Sequence, residues 1–376
     1  MSRIPGLSAE ENETRELARR FADERVAPGA SQRDRDREFP KALLDELGQL
    51  GLLGVCVPQE LGGVGAGFTS AALVIEELAR VEAALAVSVS VHLSVGTQPI
   101  LNFGTSDQQQ RLIPPLAQGH GLAAIALTEA HAGSDLAAIR TEWRDGRLYG
   151  SKQWVTNGSY ASTIVVVARD PEAGGKPSAF IVQRPASGLE LIGTPEKMGL
   201  HASNTADLSF DGVECERLGD PGAGMRIALG VMDGGRIGIA AQATGLAQGA
   251  LDIAIDWARE REAFGAPIAK LGQVQAKIAE MSTDVEAARA LYLRAAKLKD
   301  MGEQHTVEGA QAKLFASRVA RFQTGEAIQV MGGAGYMADL PAERYYRDAK
   351  ITEIYEGTSE VQRLVIARAL LGDAAR

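Results

Sequence analysis

Two changes of hydrophobic period, one near Gly121 and one near Pro221, constrain the fold more than any other feature of this 376-residue chain. Before the first, apolar residues recur at helical spacing: Leu17, Phe21 and Val26, then Leu43, Leu44, Leu47, Leu50 and Leu52, then Leu73, Val74, Leu78 and Val81. That spacing stacks side chains on one helical face. Residues 83–95 are nearly uncharged apart from His92 and read as a buried central helix, and the glycine-rich residues 58–67 as a loop. Between the two changes, apolar runs are short and rich in β-branched residues, at 125–127, 162–168, 178–183, 189–192 and 206–210. Gly, Pro or Asp separates them, which is the pattern of a small β-domain. Helices then return. Leu271, Val274, Ile278, Met281, Val285, Ala288, Tyr292 and Ala295 step by three and four and need partner helices on one face. A further helix from about Thr306 to Met331 stops at Gly332-Gly333. The expected organisation is an all-α domain over 1–120, a β-domain over 121–225 and a helical bundle over 226–376.

Composition narrows the function. Hydrophobic residues make up 45% of the chain, enough to bury several cores, but aromatics only 5%. Abundant alanine and glycine favour close helix packing over a β-sandwich. A net charge of −9 provides no general attraction for nucleic acid or anionic lipid, so an anionic ligand needs local cations. The two cysteines, Cys56 and Cys215, have no metal-binding or redox spacing and read as free, buried thiols of a reduced compartment. The five histidines lack ligand spacing, so no metal is expected. No stretch reads as the ~18 uncharged apolar residues of a membrane span, and residues 1–37 lack the apolar core of a signal peptide. The expectation is a soluble, cytoplasmic protein.

The chemistry concentrates near the C-terminus, in Ile351-Thr-Glu-Ile-Tyr-Glu-Gly-Thr-Ser-Glu-Val-Gln-Arg363. Ser359 with Gln362 predicts a capping box, and Val361, Leu364, Val365 and Leu370 continue at helical spacing, so Glu356 falls in the turn feeding a helix. Gly357 beside it lets backbone approach a ligand closely.

This string resembles the catalytic segment of the acyl-CoA dehydrogenases, flavoenzymes in which such a glutamate removes the α-proton of an acyl-CoA thioester. The resemblance covers nearly the whole chain and implies that family's fold: an N-terminal helical domain, a small middle β-barrel and a C-terminal four-helix bundle. Leu127-Thr-Glu-Ala-His-Ala-Gly-Ser-Asp135 is similar to the first flavin signature, with Ala130 where members usually carry proline. It implies FAD contacts at Leu127, Thr128, Gly133 and Ser134, with Ser134 also near substrate. Gly150-Ser-Lys-Gln-Trp-Val-Thr-Asn-Gly158 is similar to the second and implies contacts at Trp154, Val155 and Thr156. Arg261 and Phe264 resemble residues that reach the FAD of a neighbouring subunit, a guanidinium fork suiting a pyrophosphate. The glutamine expected eleven residues after that arginine is Gly272, with Gln273 following. Gln329, Gly332 and Gly333 resemble the adenylate-binding segment.

By the same resemblance Thr358, Ser359 and Glu360 lie along the cofactor, and Asp233, Arg236, Tyr355 and Gly357 along the substrate. Asp233-Gly-Gly-Arg236 is expected to open a bundle helix. Gly235 occupies the position where isovaleryl and long-chain branches carry their base, which leaves Glu356 as the base here. Ala86 stands near the place of the arginine with which glutaryl-type members hold a distal carboxylate, so a dicarboxylic substrate is not expected. The implied activity is dehydrogenation of a short-chain or 2-methyl-branched acyl-CoA, in fatty-acid oxidation or branched-chain amino-acid degradation. An electron-transfer flavoprotein would accept the electrons, and the assembly would be a tetramer built as a dimer of dimers. Flavin oxidases on the same scaffold lack a retained Tyr-Glu-Gly-Thr segment. A DNA-binding flavoprotein of the alkylation-response type needs a basic face, against the −9 balance.

Overall fold

The computed structural model describes residues 4–375 and follows the helix, sheet, helix order. The first part contains α1 (Ala9–Phe21), α2 (Ala30–Asp36), α3 (Lys41–Gln49), α4 (Gly67–Ala79), α5 (Ala83–Val91), α6 (Gln98–Phe103) and α7 (Ser106–Ala117). α1 begins at a capping box, in which Glu11 N–H donates to Ser8 Oγ at 3.1 Å and Ser8 N–H to the Glu11 carboxylate at 2.7 Å. Every residue of α5 is buried, and the chain continues through a π-helical turn, His92–Gly96. Contrary to expectation, Ala83–Phe103 is long and apolar enough to cross a membrane, with a mean hydropathy of 1.4. Because 89% of that window is covered by the fold, its apolar surface is spent on the core.

Eight strands form one sheet: β1 (Leu122–Ala126), β2 (Glu142–Arg144), β3 (Arg147–Thr156), β4 (Ala161–Arg169), β5 (Pro177–Gln183), β6 (Leu189–Gly193), β7 (Thr205–Glu214) and β8 (Glu216–Leu218). Their order is β6-β7-β3-β2-β4-β5-β8, with β1 parallel to β4. The end strands β6 and β8 are not paired to each other among the described residues, so the small barrel is an open one. Period-two alternation gives the sheet two apolar faces. Ile164, Val166, Phe180 and Val182 join Leu148, Leu208 and Phe210, whereas Val165, Val167, Ala179 and Ile181 pack against Ile100, Leu112 and Ile113 of the helical domain.

The C-terminal part holds α8 (Gly224–Glu260), the hairpin β9 (Glu262–Ala263) and β10 (Ala266–Pro267), α9 (Gly272–Asp300), α10 (Thr306–Met331), α11 (Ala342–Ala349) and α12 (Ser359–Leu371). α8 starts at Gly224, so Asp233-Gly-Gly-Arg236 lies inside this helix and does not open it. Its N-cap, Ala223, makes no side-chain cap hydrogen bond, which left no start signal to read. The α9 seam buries Met281, Val285, Ala288, Tyr292 and Ala295, half-buries Val274 and Ile278, and leaves Leu271 39% exposed at the helix start. α4 lies very close to α8: a Cβ on Gly245 would sit 2.2 Å from the Glu76 carbonyl oxygen.

Cross-helix contacts fix the directions. Lys277 pairs with Glu326, Gln323 Nε2 donates to Asp284 at 2.6 Å and Arg294 to Glu308 at 3.2 Å, which makes α9 and α10 antiparallel. Thr306 Oγ1 donates to Asp233 at 2.6 Å and Gly309 faces the Asp233 carbonyl, so α10 runs parallel to α8. The end of α8, the start of α9 and the end of α10 therefore share one end of the bundle.

Candidate active site

Glu356 is held in the left-handed region, φ +53°, and Gly357 follows at +86°. For a non-glycine residue this conformation costs free energy and persists only when its surroundings enforce it. Two buried side chains do so. Lys313 of α10, fully buried, donates from Nζ to the Gly357 carbonyl at 2.6 Å. Gln362 of α12 donates from Nε2 to the same carbonyl at 2.7 Å and to that of Glu356 at 3.2 Å. The predicted capping box is therefore not made. Thr358 is the N-cap, its hydroxyl accepting from Val361 N–H at 3.3 Å, because Gln362 faces inward to the turn.

The turn aims the carboxyl at α8. A Cβ on Gly235 would lie 2.5 Å from Glu356 Oε2 and 3.0 Å from Val95 Cγ1, so the carboxyl occupies space that only glycine leaves open. Oε2 is shut off from solvent and has no hydrogen-bond partner among the described residues. Burial pushes the carboxyl up to about 7, against the pull of the Lys313 and Arg236 cations. A carboxyl with one sealed, unpartnered oxygen, pushed up toward neutrality, is suited to accept a proton. The Glu356 N–H donates to no protein acceptor among the described residues. Beside it, Tyr355 donates to Gln242 Oε1, while Gln242 Nε2 donates to the Ala83 carbonyl at 3.0 Å. Arg236 is buried, pairs with Asp233 at 2.7 Å and keeps Nε unpartnered.

The flavin signatures lie side by side, since Gln153 N–H donates to the Thr128 carbonyl at 2.8 Å. Two residues that the sequence reading passed over hold them. Fully buried Lys152 donates to the Leu127 carbonyl and to Glu129, both at 2.8 Å, and Glu129 accepts from Arg140 and Thr141 N–H at 2.7 and 2.9 Å. A buried lysine and a buried glutamate inside two motifs could have been found only by asking what pairs their charges. Trp154 also has a positive φ, +58°, and its side chain stands 59% exposed. Thr128 and Thr156 are half-buried, and Gly133 and Ser134 exposed. Val155 faces the sheet core, 2% exposed, which leaves only its backbone for a ligand. Glu360 is exposed and Ser359 Oγ donates to the Glu353 carbonyl at 3.4 Å.

The remaining predicted contacts gather elsewhere. Phe264, φ +55°, stands 95% exposed at the β9–β10 tip beside exposed Arg261, and Gln273, Gln329, Gly332 and Gly333 are exposed at the same end of the bundle. No heavy atom lies within 4 Å of a Cβ on Gly332 or Gly333. From Gly235 to Arg261, α8 rises about 39 Å at 1.5 Å per residue. One protomer therefore carries two separate groups of predicted contacts. The residues fit an isoalloxazine and its phosphates: an uncovered indole beside hydroxyls in one group, an exposed guanidinium and open glycines in the other.

A helical, sheet and helical architecture closing on an unpaired carboxylate at a glycine gap defines a class of protein whose site is equipped to take up a proton. The chain belongs to the acyl-CoA dehydrogenase family: the N-terminal, middle and C-terminal domain models of that family match residues 8–120, 124–213 and 222–371. It is 45% identical over 366 residues to the short-chain specific mitochondrial acyl-CoA dehydrogenase of Mus musculus, covering 95% of this chain and 89% of that one. Among solved structures it resembles butyryl-CoA dehydrogenase from Megasphaera elsdenii, with a TM-score of 0.95, 38% identity and coverage of 99% and 100% of the two chains. It also resembles an acyl-CoA dehydrogenase complexed with FAD from Bacillus anthracis, with a TM-score of 0.92, 32% identity and coverage of 99% and 68%. The chain is an FAD-dependent acyl-CoA dehydrogenase, an oxidoreductase acting on CH–CH bonds.

Proposed function

We propose that this enzyme dehydrogenates butyryl-sized or 2-methyl-branched acyl-CoA thioesters to trans-2-enoyl-CoA, with Glu356 as the base. The observation that carries this reading is the solvent-sealed, unpartnered Oε2 of Glu356 facing the Gly235 gap. FAD, when bound, supplies the acceptor for the hydride that leaves the β-carbon. Every other contribution comes from the chain. Glu356 takes the α-proton, and its own N–H, unused within the protein, donates to the thioester oxygen where enolate charge develops. Placing base and oxyanion donor on one residue fixes their relative geometry.

Trp154, Val155 and Thr156 would hold the FAD ring system, Leu127, Thr128, Gly133 and Ser134 its edge and pyrophosphate, and Thr358, Ser359 and Glu360 would hold it through the turn. Asp233, Arg236, Ser134, Tyr355 and Gly357 line the substrate. Arg261, Phe264, Gln273, Gln329, Gly332 and Gly333 serve the FAD of a second subunit in a dimer of dimers. An electron-transfer flavoprotein in the cytoplasm takes the electrons onward. Ala86, fully buried within apolar α5, supports the exclusion of dicarboxylic substrates.

The test is an anaerobic titration of the purified yellow protein with butyryl-, 2-methylbutyryl- and dodecanoyl-CoA, following loss of flavin absorbance. Bleaching at the lowest concentrations by the four-carbon and methyl-branched thioesters is expected. A preference for twelve carbons or more overturns the substrate assignment, and a colourless protein that takes up no FAD overturns the chemistry.

A further inference from the structure

Lys313 has no place in the mechanism above, although it is one of the largest side chains completely buried in the molecule. Among the described residues the one hydrogen bond of its ammonium runs to the carbonyl of the residue after the base, at 2.6 Å. No cation lies within 4.0 Å of the Glu356 carboxylate among the described residues, so the ammonium acts on the base without occupying its lone pairs. A direct ion pair there would hold the carboxylate ionised but block it from a substrate proton. A cation one shell further out, anchored on the backbone of the same turn, favours the ionised form and leaves the oxygen free.

Resting on the assignment of Glu356 as base, we propose that Lys313 is its positioning residue, clamping the left-handed turn through the Gly357 carbonyl and biasing the Glu356 carboxyl toward ionisation through space. The two effects have different sources and can be separated. Gln362 shares the clamp, donating to both carbonyls of the turn, but carries no charge. Lys313 contributes clamp and charge together.

The groups facing this pair come from four elements. Arg236 of α8 adds a second cation, itself paired with Asp233. Glu353 precedes the turn and pairs with Arg321 and Lys350. Glu360 of α12 lies outside it with Arg363, and Tyr355 is tied to Gln242. Val95 and Gly235 close the remaining sides without charge. Burial lowers Lys313 itself to about 8, and Glu356 opposes that shift, so both groups titrate close to neutrality. Each favours the charged form of the other.

The experiment uses FAD-loaded protein labelled with 13C-glutamate. The protonated carboxyl stretch of Glu356, identified by its loss in Glu356→Gln, is followed by infrared difference spectroscopy from pH 5 to 9. Lys313→Gln keeps an N–H donor but deletes the charge, and its midpoint is expected to rise by about one unit or more relative to the parent protein. Lys313→Arg is expected to restore the midpoint. Gln362→Leu weakens the clamp alone, and should slow butyryl-CoA bleaching while leaving the midpoint in place. An unmoved midpoint in Lys313→Gln overturns the proposal, as does an equal shift in Gln362→Leu. If Lys313→Gln does not fold, failure of Lys313→Arg to hold the parent midpoint overturns it equally. Failure of the underlying base assignment looks different, because Glu356→Gln would then bleach normally with butyryl-CoA.

Discussion

At Glu356, three properties that local rules disfavour coincide: a positive φ, burial and the lack of a hydrogen-bond partner. Such conflicts concentrate where function requires them. Two consequences follow for single residues. Gly235→Ala would place a methyl group 2.5 Å from Oε2, so the carboxyl must swing away. Stopped-flow bleaching should slow by about 100-fold, the usual effect of a displacement near 1 Å, while FAD remains bound. Unchanged kinetics would show that the slot has no role. The second consequence concerns pH. A carboxyl raised to about 7 in the folded state, from 4.5 when unfolded, binds its proton more tightly in the native protein. The contribution of Glu356 to stability therefore falls as pH rises from about 4.5 to 7 and is constant above that interval. Glu356→Gln removes the penalty, so denaturant unfolding at pH 8 should show the variant more stable by about 2–3 kcal/mol, with no gain at pH 4. The same titration gives dehydrogenation an acid limb centred near pH 7, since only the ionised carboxylate accepts a proton.

Among elements, those with strong period were readable and those whose reasons are long-range were not. α10 was legible end to end, and the α9 seam from Met281 to Ala295 is buried as its spacing demands. The start of α8 was hidden because no capping side chain marks it, and the box at Ser359 was misplaced by one residue because Gln362 is recruited by the turn. β3 was not among the expected strands, since a charged residue, Lys152, fills one of its buried positions. That exception ties the two flavin signatures together. Against the upward push of burial, Lys152 holds the Glu129 carboxyl below its ordinary range. Lys152→Met leaves a buried carboxylate without its cation, with two backbone donors and the His131 ring 3.6 Å away, and should cost about 3 kcal/mol or more. Thermal melting of the FAD-loaded variant checks this, with faster FAD loss on dilution as the companion result. A melting curve identical to the parent's would relegate the pair to decoration.

For the whole molecule, the family resemblance assigns Arg261 and Phe264 to the FAD of a neighbouring subunit, and the fold sets them about 39 Å along α8 from the Gly235 gap. The physical separation behind that assignment was not legible in the sequence, because Glu356 and Phe264 both belong to the C-terminal bundle and only the helix directions place them at opposite ends. The Phe264 ring, 95% exposed at the hairpin tip, is open to contact from another chain. If the second subunit completes each site, chains carrying Arg261→Ala and Phe264→Ala should complement chains carrying Glu356→Gln. Co-expression should restore activity that neither variant has alone, since a mixed dimer rebuilds one intact site. Activity of the mixture no higher than the sum of the separate variants would place both groups in the same subunit's site.

The most direct test of the account is rapid anaerobic mixing of FAD-loaded Glu356→Gln with butyryl-CoA. A yellow protein of native assembly whose flavin absorbance decays at least about 10³-fold more slowly than the parent's is the predicted result. Bleaching at the parental rate would contradict it and move the base to another side chain.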